Sequence, residues 1–391
     1  MKLHLKLSLS LFDGLLVGAF AGLTSAVFLY TLEFAGTVFS SHDGFVYLLP
    51  IAGAFTIFLY TRFGKIAIEG NHLVIDEIHS PKKDIPLVMI PLIFITTILT
   101  HLFGGSAGRE GTAVQMGAGI AEAIGKKLKV DPARRRRLLI AGMGAGFGTA
   151  IGAPLAGAIF GMEVLRVGRF KLIALLESLV AAFTGYLIVH LLKAPHTLYP
   201  QVEFYFNPSL VLYIPVLAFA CALLARIFIS SVHVLETNLP KLISSNYVRI
   251  IIVSILLILL FKLEGSGRYH GLGLDIIVSA FDHNLHWSTP LLKVFFTVLT
   301  ISIGFKGGEF TPLAFIGASA ASALALYLPV STSLFVALGF ASVFAAASKT
   351  PLACAIMAAE LFGPQTLIPA IVCCYLATWL SGPRGIYRFQ L

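Results

Sequence analysis

Gly104-Gly105-Ser106-Ala107-Gly108-Arg109-Glu110-Gly111-Thr112 and Gly307-Gly308-Glu309-Phe310-Thr311-Pro312 are two glycine-rich breaks, each with a glutamate inside it and apolar runs on either side. A carboxylate at membrane depth is costly, and irregular backbone there is tolerated only where protein buries it or where it lines a cavity. Two such breaks in corresponding halves of one chain predict a substrate or ion site between two repeats.

The flanking sequence is that of a membrane protein. Apolar runs cover residues 11–30, 46–60, 87–103, 172–192, 210–229, 250–261, 291–305, 335–347 and 367–380. Of the 391 residues, 57% are hydrophobic and only 12% charged, with a mean hydropathy of +0.90, too little charge to cover a soluble domain. Some runs approach the spanning length of roughly 20 residues and others fall short, so tilted, broken or half-crossing helices are expected. The fold class is all-α and membrane-embedded. No cleavable signal peptide and no soluble regulatory domain are expected.

The formal net charge of +9 is concentrated in short loops, notably Lys126-Lys127-Leu128-Lys129 and Arg134-Arg135-Arg136-Arg137. This is the positive-inside bias, which places that loop and the lysine-bearing N-terminus in the cytoplasm, within reach of anionic lipid head groups. Nucleic acid is excluded as a partner, because no aromatic-interleaved basic face accompanies the charge. Cys221, Cys354, Cys373 and Cys374 lie in apolar segments without metal-ligand spacing and read as small buried hydrophobes. No metal and no cofactor is expected.

An internal duplication is legible. Pro154-Leu155-Ala156-Gly157-Ala158-Ile159-Phe160-Gly161-Met162-Glu163 pairs with Pro351-Leu352-Ala353-Cys354-Ala355-Ile356-Met357-Ala358-Ala359-Glu360 at one fixed offset. Gly142 and Ala150 meet Gly339 and Ala347 at the same offset, and the glutamate breaks fall near it, shifted by two residues. A first membrane repeat over residues 1–200 and a second over 201–391 are expected, with residues 201–207 as the linker. Each repeat reads as a broken helix, a small-residue helix and a helix begun by proline, which suits a first turn because it lacks the N–H. Gly142-x-Gly144-x-Gly146-x-Gly148 and Gly157-x-x-x-Gly161 are strips that let membrane helices approach closely. The first is not a dinucleotide loop, since no βαβ pattern surrounds it. Glu163 and Glu360 are expected at an interface, in packing or subunit contacts. Residues 265–273 and 282–290 read as loops whose histidines are solvated.

Helices that begin inside a bilayer point unpaired N–H groups at whatever occupies the centre, and with the helix dipole these make an anion site without a formal cation. The breaks at Gly108–Thr112 and Gly307–Pro312 suit that purpose, and Glu69-Gly70-Asn71-His72-Leu73-Val74 offers a third amide cluster. A glutamate at such a site competes with the anion when ionised and vacates it when protonated, which couples proton and anion movement. The plainer alternatives are carboxylates paired with Arg109, for Glu110, and with Lys306, for Glu309.

The GREG run at 108–111, the GGxFxP run at 307–312, the Gly70-Asn71 break and the two Pro-Leu-Ala helices resemble the CLC anion channels and transporters over nearly the whole chain. The resemblance implies a homodimer, each subunit with its own pathway between two inverted-topology repeats of broken, tilted helices. It implies Glu110 as the external gating glutamate and Tyr387, in Gly385-Ile386-Tyr387, as the tyrosine facing the anion. The implied anion site adds Asn71, Gly108, Arg109 and Gly111 from the first repeat, with Phe310 and Thr311 from the second.

The departures from the pattern narrow the implication. Asn71 replaces a serine, Thr112 replaces a proline, Glu309 replaces an apolar residue, and Val164 stands where chloride/proton exchangers carry an inward proton-relay glutamate. This set is similar to the fluoride-exporting branch, the fluoride/proton antiporters, in which a glutamate in GGEFTP is a hallmark. Implied are Glu110 and Glu309 as the working acids, fluoride and protons as substrates, and fluoride resistance in a bacterial plasma membrane. A chloride/proton antiporter or passive anion channel is the alternative within the family. Fluoride is small and strongly hydrated, so a selective site must offer short, strong hydrogen bonds; Asn71 brings two amide donors where serine has one. No ATP-binding motif is present, so secondary transport is expected. An intramembrane acid/base enzyme built on Glu110 and Glu309 lacks a nucleophile or metal cluster beside them, and a cation transporter is disfavoured by the glycine-lined helix starts.

Overall fold

The structure, a computed structural model, describes residues 2–168, 172–203 and 210–387. The first half comprises α1 (Lys2–Ser41), α2 (Leu49–Leu59), α3 (Asn71–His79), α4 (Met89–Leu102), α5 (Glu110–Lys127), α6 (Pro132–Ile151), α7 (Pro154–Glu163) and α8 (Leu175–Leu191). The second comprises α9 (Leu210–Leu242), α10 (Asn246–Glu264), α11 (Leu274–Ser279), α12 (Ser288–Ser302), α13 (Phe310–Ala325), α14 (Thr332–Ser348), α15 (Pro351–Phe362) and α16 (Leu367–Leu380). Long and short helices fall in the same order in both halves.

Four helical segments among the described residues are long and apolar enough to cross a membrane: Leu7–Ser41, Gly44–Glu69, Leu210–Leu242 and Asn246–Glu264. The apolar helices α4, α8, α12, α13, α14 and α15 are 10–17 residues each, shorter than a straight crossing requires. These are the broken and half-crossing elements expected from the sequence. Their ends carry recognisable punctuation. Asp131 caps α6 by accepting the Ala133 and Arg134 N–H groups at 2.9 and 3.0 Å, with Pro132 behind it. These bonds, led by that from Arg134, hold the Asp131 carboxyl below the usual carboxylate range. α7 and α15 both begin at the prolines expected to start them.

Small residues set the spacing of the core. A Cβ on Gly144 would stand 2.7 Å from the Gly157 carbonyl oxygen, and one on Gly161 would stand 3.1 Å from the Gly144 nitrogen, so α6 and α7 meet backbone to backbone. Gly117 and Gly142 make the same approach between α5 and α6, and Gly317 and Gly339 repeat it between α13 and α14. The four cysteines are free and buried.

Glu163 and Glu360 lie at an interface inside the chain. Glu163 accepts the Leu352 and Ala353 N–H groups at 3.0 and 2.8 Å, capping α15; Glu360 accepts the Leu155 and Ala156 N–H groups at 2.9 and 2.8 Å, capping α7. Each half supplies the acceptor for the other half's proline-initiated helix, which has no intrahelical partner for those donors.

Two loop readings need correction. His270 is not solvated: its Nδ1–H donates to the Gly104 carbonyl at 2.9 Å and its ring packs 4.0 Å from that of Phe261. The loop read as 282–290 ends sooner, because α12 starts at Ser288. Of the linker 201–207, residues 204–207 lie outside the described residues. Its start is held by the Val202 N–H, which donates to the Phe362 carbonyl at 2.9 Å.

Replacing Glu163 or Glu360 with alanine is expected to cost about 1–3 kcal/mol of stability in each case, because two backbone N–H groups at a helix start lose their acceptor. Glutamine, which keeps one acceptor oxygen, should recover part of the loss. Thermal unfolding in detergent checks this, and unchanged midpoints for both alanine variants would contradict the capping role.

Candidate anion site at the paired helix starts

The two glutamate-bearing breaks touch. The Gly108 N–H donates to the Gly308 carbonyl at 2.6 Å and the Gly308 N–H donates to the Gly108 carbonyl at 2.7 Å, an isolated antiparallel bridge. Such a pair of residues exchanging both bonds is symmetric about a local two-fold axis, as expected of inverted repeats. Glycine is required on both sides. A Cβ on Gly108 would stand 2.6 Å from the Gly308 oxygen, and one on Gly308 would stand 2.6 Å from the Gly111 nitrogen. Side-chain bonds brace the crossing: Ser106 Oγ lies 2.9 Å from Thr297 Oγ1, and the Ser106 N–H donates to Thr300 Oγ1 at 3.3 Å.

From this bridge α5 and α13 depart. Their glutamates are not equivalent. Glu110 is the first residue of α5, whereas α13 begins at Phe310 and leaves Glu309 as the residue before the helix. That slip of one position directs the two carboxylates differently. Glu110, 3% exposed, reaches across to α13. The Thr311 hydroxyl lies 2.8 and 2.6 Å from its two oxygens, and the Thr311 N–H donates to Oε2 at 3.3 Å. The Arg109 N–H donates to the same oxygen at 3.2 Å, and Arg109 Nε stands 3.5 Å from Oε1 as a charge contact. The pairing with Arg109 therefore exists, but the shorter contacts are with Thr311. A carboxylate on the opening turn of a helix occupies the place that an anion would take.

Glu309 stands against the other helix start. A Cβ on Gly111 would be 3.3 Å from Glu309 Oε2 and 3.3 Å from Asn71 Nδ2, so Glu309 and Asn71 flank the first turn of α5. Lys306 does not neutralise Glu309 by direct contact: its ammonium sits 4.5 Å from the centre of the Tyr60 ring and 3.5 Å from the Ile68 carbonyl oxygen. The third break is also a helix start. Gly70, at φ 57° and ψ −126°, turns the chain into α3 at Asn71, a conformation that a side chain would strain.

The remaining expected residues fall around this cluster. Tyr387 is buried, its ring edge-on to His72 at 6.3 Å. The Ile386 N–H anchors the closing segment by donating to the Ala347 carbonyl at 2.8 Å. Phe310 contributes its backbone to the start of α13, while its ring packs against Phe344, Phe147 and Phe340 with centroids 4.8–5.6 Å apart. Thr112 bonds sideways to Thr97 at 2.7 Å, tying α4 to α5. Val164 is buried without a carboxylate of its own, and Glu163 beside it is committed to α15.

Sequence reasoning missed Gln115 and the partner role of His72. The Gln115 amide nitrogen lies 3.1 Å from where a Cβ on Gly70 would stand, so α5 meets the α3 start there. A signal existed: Gln115 follows Gly111 by one helical turn and is polar within a small, apolar run. Asn71 Oδ1, Gln115 Oε1 and Glu309 Oε2 are all enclosed without a hydrogen-bond partner among the described residues. Buried polar atoms seldom go unmatched, and their concentration here marks a place built for polar occupants.

The chain is similar to known proteins over nearly its whole length. The sequence profile described as "Voltage gated chloride channel" matches residues 52–382. A "Chloride/fluoride channel protein" of Pseudomonas syringae pv. tomato is 38% identical over 382 residues, covering 96% of this chain and 84% of that protein. A "H(+)/Cl(-) exchange transporter ClcA" of Yersinia pestis bv. Antiqua is 26% identical over 350 residues, covering 84% and 72%. Among solved structures, a CLC-type fluoride/proton antiporter superposes with a TM-score of 0.95 at 35% identity, covering 99% of this chain and 98% of that one. A slow cyanobacterial Cl-/H+ antiporter superposes at 0.83 with 21% identity, covering 97% and 96%, and supports the fold alone. The chain belongs to the voltage-gated chloride channel family, the CLC family of anion channels and transporters.

Proposed function

We propose that this protein is a proton-coupled fluoride exporter, an antiporter that brings protons in and moves fluoride out, and so confers fluoride resistance. It works as a homodimer in a bacterial plasma membrane, with contacts to membrane lipid. Each subunit carries its own pathway between a first repeat over residues 1–200 and a second over 201–391. The single observation that carries the reading is the Glu110 carboxylate resting on the Thr311 amide and hydroxyl at the start of α13.

The cycle follows from charge competition. Ionised Glu110 holds the anion's seat through charge-assisted hydrogen bonds. Protonation weakens those bonds and frees the Thr311 donors for a halide. Binding of the anion and departure of the acid are then linked, since only the state without the carboxylate has the donors to offer. Glu309, beside Asn71 and Gly111, takes up a proton in a chain whose Val164 supplies no relay; its closeness to the start of α5 supports this reading. As a neutral acid it donates an O–H to fluoride, and the Asn71 amide adds two donors. The relatives named for fluoride support fluoride as cargo; the weaker similarity to named chloride/proton antiporters keeps chloride exchange as the second reading.

Reconstitution into liposomes and recording of fluoride and chloride efflux with ion-selective electrodes, alongside a pH probe, tests the proposal. Fluoride efflux matched by proton uptake is expected, and chloride efflux of equal or greater rate would favour the second reading. Glu110→Gln should lower coupled exchange by at least about two orders of magnitude, in the range of losing a positioned acid. Brisk proton-coupled flux from that variant would reject Glu110 as the gate.

Glu309→Gln keeps the size of the side chain and removes its proton. Slow or uncoupled fluoride movement is expected, and full coupled exchange would remove Glu309 from the proton route. Asn71→Ser exchanges two amide donors for one hydroxyl. It should raise the chloride-to-fluoride efflux ratio by roughly tenfold, the effect of about one lost charge-assisted bond.

A further inference from the structure

Three of the four arginines in the cytoplasmic run are committed. Arg134 forks onto Asp13 of α1 at 2.7 and 2.6 Å. Arg135 donates to Glu122 of α5 at 2.7 Å and to Glu77 of α3 at 3.2 Å. Arg137 donates to Glu177 of α8 at 2.8 Å. These contacts lock the start of α6 to four other helices. Arg136 has no such carboxylate. Its Nε is enclosed and without a hydrogen-bond partner among the described residues.

Arg136 lines a notch together with His79, at the end of α3, and Arg166, in the turn after α7; Ile140, Leu165 and Ile173 form its apolar wall. His79 donates its Nδ1 proton to the Ile75 carbonyl at 2.9 Å, and its Nε2 is a second enclosed atom without a partner. Among the described residues no carboxylate lines the notch. Three basic groups from three elements therefore converge on one spot, two of them with enclosed nitrogens unmatched. Positive charge gathered without counter-charge at a sheltered spot is costly unless an anion completes it.

The dimensions select the anion. The notch is open on one side and its inner end, about 10 Å³, has room for about one water-sized atom. A ligand must present a single oxygen there and keep its body outside. Outside, the wall continues into Leu172 and Ile173, which are 60% and 39% exposed apolar side chains. A ligand with an anionic oxygen at one end and hydrocarbon at the other satisfies both surfaces. We propose that this notch seats a phosphate oxygen of an anionic phospholipid from the cytoplasmic leaflet, held by Arg136 and Arg166. The guanidinium fork matches phosphate geometry, and the leaflet's negative surface potential supplies the ligand where a positive-inside loop already lies. The site is independent of which ion the protein carries.

Native mass spectrometry of the full chain in detergent, titrated with phosphatidylglycerol or phosphatidylcholine, tests the assignment. One phosphatidylglycerol per chain should bind in preference to phosphatidylcholine. Arg136→Gln combined with Arg166→Gln should weaken that binding roughly thirtyfold, the effect of removing two charges at a membrane surface. Lys127→Gln combined with Lys129→Gln removes equal charge from the same face, away from the notch, and should leave binding little changed. Equal weakening by the lysine pair would overturn the proposal, as would equal affinity for phosphatidylcholine. Displacement of the lipid by millimolar inorganic phosphate would assign the notch to free phosphate and overturn the lipid reading. If the glutamine pair fails to fold, Arg136→Lys with Arg166→Lys decides: it keeps charge but loses the fork, so binding should fall several-fold, and unaltered binding would count against the site.

Discussion

Two backbone hydrogen bonds between Gly108 and Gly308 are the constraint on which the centre of this molecule depends. Two helices that begin inside an apolar medium must place their free N–H groups somewhere, and neither can do so alone. Bringing the two starts together allows each break to satisfy part of the other. Only glycine permits it, because a side-chain carbon at either position would drive into the opposite backbone. Once the starts are held, the distance from Glu110 to Thr311 follows.

The same solution is used a second time at the proline-initiated helices. Glu163 and Glu360 reach across to cap each other's half. Both arrangements are reciprocal, as a duplicated chain folded about a two-fold axis requires. Their roles have nonetheless diverged. Glu163 and Glu360 each accept two backbone N–H groups at 2.8–3.0 Å. The two backbone N–H contacts of Glu110 are longer, at 3.2 and 3.3 Å, and its shortest contact is the Thr311 hydroxyl, while one oxygen of Glu309 has no donor among the described residues. A carboxylate fixed by two short backbone bonds is structural; one held mainly by a rotatable hydroxyl can leave at lower cost. With Gly108 paired to Gly308, Glu309 stands opposite Arg109 and Glu110 opposite Phe310, so the two acids occupy different positions at their helix starts.

Charge is sorted along the same logic. At the start of α6, arginines and carboxylates from five helices pair closely and brace the bundle. At the centre the pairing is looser: Arg109 stands 3.5 Å from Glu110, and Lys306 rests on the face of Tyr60 and does not meet Glu309. An ammonium over an aromatic face is held by the ring quadrupole and needs no carboxylate partner.

The sequence alone determined that this is a helical membrane protein with a duplicated interior. It also determined where helices break and begin, because hydropathy, glycine breaks, proline starts and small-residue strips are written in short windows of chain. It placed Glu110, Glu309 and Asn71 at helix starts for the same reason. What it could not carry was partnership between residues far apart in the chain. That Glu110 meets Thr311, that Glu163 and Glu360 cap opposite halves, that Gln115 faces Gly70 and that Lys306 turns to Tyr60 were decided by how the helices pack. The one-residue slip between the two glutamates is written in the spacing of Gly108-Arg109-Glu110 against Gly308-Glu309, but only the pairing of Gly108 with Gly308 showed which register to compare. Local propensity fixes an element's limits; the direction of a side chain at its end is set by the neighbour it packs against.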